Sequence, residues 1–292
     1  IIFFIPDRYS IIYQSKHKIT LFPRGVSTSS HSDKKNIIVR PPPKSFANAL
    51  TTSQFTNGEK PDYQLAVKQH NEYVETFKKL GLNVIVLESE EEYPDCCFVE
   101  DQALIVDNHV FFPIPGAPSR RGEQKSIIQT ITPYMKSIHW CKEPGKIDGG
   151  DVVRVGDKFY IGKSKRSNNE GISQFQDFLT KLNFESYIVN VPDYSLHLTT
   201  LCSSPNSNLL LIPESCKNDL KFQNLPTSVE IVTIPDDETY GCNTIGIDNK
   251  VIISEGYPTV KKKLIEKGLE IIELPMSEFR AVDGSLTCLS LF

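Results

Sequence analysis

The chain has 292 residues, 39% of them hydrophobic and 23% charged, and a formal net charge of −4 at pH 7. This is the composition of a soluble globular protein with a real core. It carries no basic stripe suited to nucleic acid, and no apolar run approaches the ~18 residues of a membrane-spanning helix. The seven cysteines (96, 97, 141, 202, 216, 242 and 288) form an odd set with neither CxxC pairs nor zinc-ligand spacing. Reduced thiols and no structural metal are therefore expected.

Residues 1–35 stand apart. A short apolar start, Ile1 to Ile5, leads into a Ser/Thr/Lys-rich, acid-poor stretch, which reads as a poorly ordered extension or a targeting segment of mitochondrial type. Residues 36–292 read as a single domain. A cytoplasmic location is expected, or a mitochondrial one if the extension is a transit segment.

From there the pattern repeats. Asn36–Arg40 reads as a strand, Asp62–Leu80 as a helix and Asn83–Leu87 as a strand. Four apparent hairpins follow: Phe98–Pro113 around Asp107-Asn-His, Gly150–Gly162 around Gly156-Asp-Lys, Leu198–Pro213 around Pro205-Asn-Ser-Asn, and Cys242–Gly256 around Asp248-Asn-Lys. In each, alternating apolar residues flank turn formers. A helical pattern succeeds each hairpin, over Arg121–Lys136, Asn169–Leu182, Glu214–Phe222 and Pro258–Lys267. Each of these leads to a short apolar strand: Ser137–Cys141, Ser186–Val191, Val229–Ile234 and Leu269–Leu274.

The unit is thus β-β-α-β, and self-similarity at this period implies a repeat architecture. Two strands are left over, Asn36–Arg40 and Leu286–Phe292. Pairing them supplies a fifth hairpin and closes the repeat without an open edge. The expected fold is an α/β five-bladed propeller of ββαβ units, closed by its N- and C-terminal strands; a two-layer α/β sheet is the alternative.

Equivalent ends of these units carry Glu100-Asp101, Asp148-Gly-Gly-Asp151, His197 and Cys288. Singly, each has a plain explanation: a solvated strand edge, a tight turn, a core histidine, a small hydrophobe in the last strand. Brought to one axis they form a chemical set. A thiol offers a nucleophile that is only slightly ionised at neutral pH, and a histidine offers proton transfer. Buried carboxylates demand a cationic partner, which a planar guanidinium fits well.

The motifs Pro94-Asp-Cys-Cys-Phe-Val-Glu-Asp101, Pro115-Gly-Ala-Pro-Ser-Arg-Arg121, Asp148-Gly-Gly-Asp-Val152, Gly162-Lys-Ser-Lys-Arg-Ser-Asn168, Leu196-His-Leu198 and Val282-Asp-Gly-Ser-Leu-Thr-Cys-Leu-Ser290 resemble, in order, those of the dimethylarginine dimethylaminohydrolases. These belong to the guanidine-modifying superfamily, whose fold (the pentein) is a five-bladed α/β propeller. The resemblance runs from about Asn36 to the C-terminus.

It implies that Cys288 is the nucleophile, His197 the general acid/base and Asp148 the carboxylate touching both His197 and the guanidinium. Glu100 and Asp101 would lie near the guanidinium, Asp95 at the α-amino group, and Arg120 and Arg166 at the carboxylate end. The Val282 carbonyl would be a backbone contact, Phe98 would pack beside the substrate, and Leu50 would fall in a lid within the Pro41–Gly58 loop. The implied reaction is hydrolysis of Nω-methylated free arginine to citrulline and a methylamine. The substrate is a small molecule, no cofactor or metal is needed, and a homodimer is the candidate assembly. The alternatives are an arginine deiminase or amidinotransferase, and a catalytically silent propeller that binds an amino acid. The residue after Leu198 is Thr199, where deiminases of this superfamily carry Asp.

Overall fold

The computed structural model describes residues 35–52 and 60–292. The extension 1–35, apart from Lys35, and residues 53–58 at the end of the 41–58 loop lie outside the described residues. No helix among the described residues is long and apolar enough to cross a membrane.

The first unit contains strand β1 (Asn36–Val39), helix α1 (Tyr63–Lys79) and strand β2 (Asn83–Val86). Asp62 caps α1 by accepting the Leu65 N–H at 2.8 Å, as a short acidic side chain at an N-cap does. The helix ends before Gly81, whose φ of 84° turns the chain. Ala66, Gln69, His70, Tyr73, Val74 and Phe77 form its buried face, the i, i+3/i+4 stripe of an amphipathic helix.

Three further units share one plan, an antiparallel hairpin whose second strand pairs in parallel with a third strand after a helix. They are β3 (Leu104–Val106), β4 (His109–Phe112), α2 (Lys125–Ile131) and β5 (Ser137–Trp140); then β6 (Val152–Val155), β7 (Lys158–Lys163), α3 (Asn169–Lys181) and β8 (Glu185–Asn190). Between them and the last lies a two-stranded sheet, β9 (Leu209–Pro213) with β10 (Glu230–Ile234). The last comprises β11 (Ile245–Ile247), β12 (Lys250–Ser254), α4 (Pro258–Glu266) and β13 (Glu270–Leu274). The hairpin turns use positive φ at Asp107 (54°), Gly156 (61°) and Asp248 (54°), residues suited to that region.

A short helix, α5 (Ser277–Arg280), precedes the terminal strand β14 (Ser290–Leu291). β14 pairs antiparallel with β1, Ile38 opposite Leu291 and Val39 opposite Ser290, while β1 pairs in parallel with β2. The two ends of the domain therefore join in one sheet, as the sequence led us to expect. The strands form five separate small sheets, not one closed sheet.

Three expectations need correction. The fourth hairpin is reduced: only Ser203 bridges to Leu211, so β9 has no full antiparallel partner. The Ser203 hydroxyl instead donates to the Cys242 carbonyl at 2.6 Å and meets Thr244 Oγ1. The helix expected over Glu214–Phe222 is a single 3₁₀ turn, Ser215–Lys217. Finally, Cys288 is not in a strand. Residues 287–289 form a 3₁₀ turn, with the Cys288 N–H bonded to the Ser285 carbonyl and the Leu289 N–H to Leu286. Only Ser290 and Leu291 are extended.

Candidate active site

Most of the sequence candidates sit in 3₁₀ turns or bends just before the first strand of a unit. Glu100 and Asp101 lie in the turn 99–102 before β3, and Asp148 caps the turn 149–151 before β6. His197 enters the fourth unit, and Cys288 lies in the turn before β14. Strand ends of this kind fix position, while the turn aims each side chain away from the ladder.

Leu50, Asp95, Phe98, Asp101, Arg120, Arg166, His197, Val282 and Cys288 line one solvent-open cavity of about 360 Å³. A larger cavity, about 810 Å³, has Glu100, Thr199 and Thr287 in its wall but neither Cys288 nor His197. The smaller one has both Cys288 and His197 in its wall, with Asp101 beside them.

His197 is 5% exposed, and its Nε2 lies 3.0 Å from Asp148 Oδ2. Burial alone would depress its pKa. The charge of Asp101, the hydrogen bond to Asp148 and the charges of Asp151 and Asp148 outweigh that and raise it to about 9. The resting ring is thus an imidazolium at neutral pH. Asp148 is fully buried; its Oδ1 accepts the Gly116 N–H at 2.7 Å, and Arg166 Nη1 reaches Oδ2 at 3.4 Å.

The two glycines after Asp148 are dictated by close approach. A Cβ at Gly149 would stand 1.9 Å from the Glu100 carbonyl oxygen, and one at Gly150 would stand 2.8 Å from His197 Nδ1. Only a backbone without side chains lets the two carboxylate turns and the histidine share this space.

Asp101 accepts from the Gly150 N–H at 2.9 Å and from Arg120 Nη1 at 2.5 Å. Burial disfavours its charge, but His197 and Arg120 hold its pKa below the ordinary carboxylate range. Glu100 does not line the cavity. It accepts from the hydroxyl of Thr287, the residue before Cys288, at 3.0 Å.

Cys288 Sγ is 3.5 Å from Ser285 Oγ. Burial raises its pKa to about 12, assisted by the charges of Glu100 and Asp101. The resting sulfur is a thiol.

The two arginines differ. Arg120 is 3% exposed and largely committed within the protein. It donates through Nε and Nη2 to Glu123, through Nη1 to Asp101, and through Nη2 to the Phe98 carbonyl at 2.7 Å. One Nη1 hydrogen remains for the cavity. Arg166 keeps more of its side chain open, 18%. Asp95 accepts the Leu50 N–H at 3.0 Å, and burial, opposed by Arg120, raises its pKa. Phe98 is wedged against Phe46 and Phe279 at centroid distances of 6.2 and 6.4 Å. Leu50, 42% exposed, stands at the mouth.

Of the residues that hold these in place, sequence reasoning missed Glu123 and Asn243 and gave Asp151 no role of its own. Glu123 is buried, with its pKa raised to about 7 by burial against the pull of Arg120; the Arg120-x-x-Glu123 spacing was its only signal. Asp151 accepts from the Ser164 and Ser167 hydroxyls and the Leu198 N–H at 2.5, 2.6 and 3.0 Å, tying the Arg166 loop to the histidine. Asn243 clasps Thr287, accepting its N–H at 3.0 Å and donating to its Oγ1 at 3.0 Å. Nothing in its sequence context marks it.

Asp101, Asp148 and His197 also converge closely enough to ligate a cation. Arg120 and Arg166 already supply countercharge to the two carboxylates there.

A family model described as eukaryotic N,N dimethylarginine dimethylhydrolase matches residues 42–291. The chain is 35% identical over 258 residues to an N(G),N(G)-dimethylarginine dimethylaminohydrolase of Pseudomonas aeruginosa, covering 88% of this chain and 98% of that one. A namesake from Streptomyces coelicolor is 28% identical over 260 residues, covering 88% and 96%. The structure of a cysteine-to-serine variant of the Pseudomonas enzyme, complexed with citrulline, superposes with a TM-score of 0.82 at 34% identity over 88% of this chain and 98% of that one. The N-terminal domain of a cyanobacterial arginine dihydrolase shares the fold alone, with a TM-score of 0.76 at 18% identity over 88% and 97%.

Proposed function

Because the chain belongs to the dimethylarginine dimethylaminohydrolase family, we infer that it hydrolyses Nω-methylated free arginine to citrulline and dimethylamine or methylamine. The observation that carries this reading is a buried thiol and a buried imidazolium in the wall of one cavity with Asp101, while Asp148 holds the ring from behind. Such a site favours a cation with directional N–H groups.

In the proposed mechanism the guanidinium is held by Asp101, with Asp148 behind His197 and Glu100 behind Cys288 adding negative charge. The bound cation lowers the thiol pKa, and the proton leaves to solvent. The thiolate attacks Cζ, forming the C–S bond. As the tetrahedral adduct collapses, the C–N bond to dimethylamine breaks, and His197 donates the proton that makes the amine a leaving group. An S-alkylthiouronium remains. Neutral His197 then takes a proton from water as it adds; the adduct expels the thiolate, breaking the C–S bond, its hydroxyl proton leaves to solvent to give citrulline, and Cys288 regains a proton from solvent.

Arg166 and the remaining Nη1 hydrogen of Arg120 bind the α-carboxylate in this scheme. Asp95 and the Val282 carbonyl face the α-ammonium, and Phe98 and Leu50 supply apolar walls. The recurrence of the unit, the joining of β14 to β1 and the siting of functional residues before successive first strands favour the five-bladed propeller, within one domain from 36 to 292. Thr199 argues against an arginine deiminase, since it offers no carboxylate for the far guanidinium nitrogens.

Turnover tests the reading. The protein should release citrulline and dimethylamine from asymmetric dimethylarginine, and Cys288→Ser should bind but not turn over. Ammonia from unmethylated arginine, with no amine from the methylated one, would favour the deiminase instead.

A further inference from the structure

The two cavities stand back to back. Asp101 and Cys288 line the smaller one, whereas their immediate neighbours Glu100 and Thr287 line the larger, and no described residue lines both. The smaller lies at the turns that precede the first strands of the units. The larger runs on along those strands, past Ile105 of β3, Val152 of β6, Gly246 of β11 and Ser290 of β14, and opens to solvent. In the partition between them the Thr287 hydroxyl donates to Glu100 Oε2 at 3.0 Å, and Asn243 donates in turn to that hydroxyl.

His197 and Asp101 share the catalytic wall with Cys288 but are poor acceptors for its proton. The ring is already an imidazolium, its pKa raised to about 9. Asp101 is engaged by Arg120 and by the Gly150 N–H. A ligand whose Cζ faces the sulfur also covers the thiol from the front. Glu100 is placed otherwise. Its charge opposes ionisation of the Cys288 thiol more than that of Asp101 does, and it faces a second space that such a ligand leaves open. A carboxylate to which a hydroxyl donates is set to accept.

Resting on the function read above, we propose that Glu100 is a catalytic residue, the base that takes the Cys288 proton, and that the larger cavity is the path by which this proton leaves. The S–H bond breaks as an O–H bond forms on the Glu100 carboxylate, directly or across one water. The electron pair stays on sulfur for the attack on Cζ. Glu100 then gives the proton up to solvent through the larger cavity, and the same path returns one to the thiolate that the final step expels.

The test binds N5-(1-iminoethyl)ornithine, an amidinium with no methylamine to lose, and follows thiolate absorbance in stopped flow beside equilibrium affinity. Glu100→Gln keeps an acceptor for Thr287 but no base. Loss of the negative charge by itself makes the thiolate easier to form, so a purely electrostatic Glu100 predicts faster appearance of thiolate in the variant. A proton acceptor predicts the reverse: a rate lower by about 10²–10⁴, the range for a positioned acid or base, with affinity lower by less than about tenfold. Glu100→Ala, which serves if the glutamine variant does not fold, should regain its rate with formate, a carboxylate small enough for the emptied space. Ile105→Trp added to it fills the larger cavity and should remove that rescue.

Thiolate that appears in Glu100→Gln as fast as in the wild type, or faster, overturns the proposal. So does an affinity that falls in step with the rate, which puts Glu100 on the ligand, and so does a slowed alanine variant that formate leaves slow. Rescue that survives Ile105→Trp overturns the exit path. Turnover is read separately. A wild type that releases no amine from asymmetric dimethylarginine overturns the functional reading, whereas one that does, with any of these adverse results, counts against Glu100 and its cavity alone.

Discussion

His197 Nε2 and Arg166 Nη1 converge on one oxygen of Asp148, at 3.0 and 3.4 Å. The carboxylate thus orients the imidazole ring and the loop that carries an arginine in a single contact. Asp148→Asn keeps the shape and removes the charge. Part of what raises the His197 pKa to about 9 is lost with it, so the alkaline limb of the pH–rate profile should move downward, and kcat should fall by roughly 10²–10⁴. Histidine titration by NMR in the variant checks this: a ring still titrating near 9 would show that Asp148 does not set its basicity.

The same raised pKa bears on stability. A proton held more tightly in the folded state stabilises it fully below the unfolded value of 6.5 and is lost as pH rises through about 9. Thermal unfolding of the wild type should show declining stability across that window, and His197→Gln should flatten the decline. An unchanged slope in the variant would assign the effect elsewhere.

Cys288, with its pKa pushed up to about 12, should show no thiolate absorbance near neutral pH in the free protein and should alkylate slowly. A bound guanidinium or amidinium analogue should bring the thiolate signal down towards neutral pH. A thiolate already present in the free protein contradicts activation by the substrate's charge.

Glu123 is predicted to govern Arg120. Glu123→Gln leaves a buried guanidinium with less countercharge, which should cost about 3 kcal/mol and lower the unfolding temperature measurably. Its KM should rise too, since Arg120 is also the cation beside Asp95 and Asp101. An unfolding temperature equal to the wild type would mean that Asp101 and the Phe98 carbonyl suffice to hold the arginine.

Asn243→Ala unclasps Thr287. The effect should be mainly on kcat, because the contact positions the turn that carries Cys288 and Asn243 lies outside the cavity wall, with about 1–3 kcal/mol lost in stability. A change in KM alone would place Asn243 in ligand binding.

Legibility followed local chemistry. The hairpins at Asp107, Gly156 and Asp248 announced themselves because a positive φ restricts the residues that fit. The fourth did not form as expected, since Ser203 and Thr244 satisfy each other across units, a choice no local pattern reveals. The short apolar-rich segment Leu286-Thr-Cys-Leu-Ser-Leu291 reads as a closing strand, yet i→i+3 bonding bends 287–289 into a turn. That bend sets Cys288 into the cavity wall. The motif residues Cys288, His197 and Asp101 were legible because chemistry constrains their type. Glu123 and Asn243 were not, since many residues could brace an arginine or a turn.

The carboxylates around Cys288 have one more consequence. In the proposed mechanism they hold a ligand by its positive charge, and hydrolysis converts a guanidinium into an uncharged ureido group. The reaction therefore discharges its own tether: when the last bond breaks, the reacting end has lost the charge that kept it in place. On this view citrulline departs readily, and methylated arginine outcompetes it without any change in the shape of the protein.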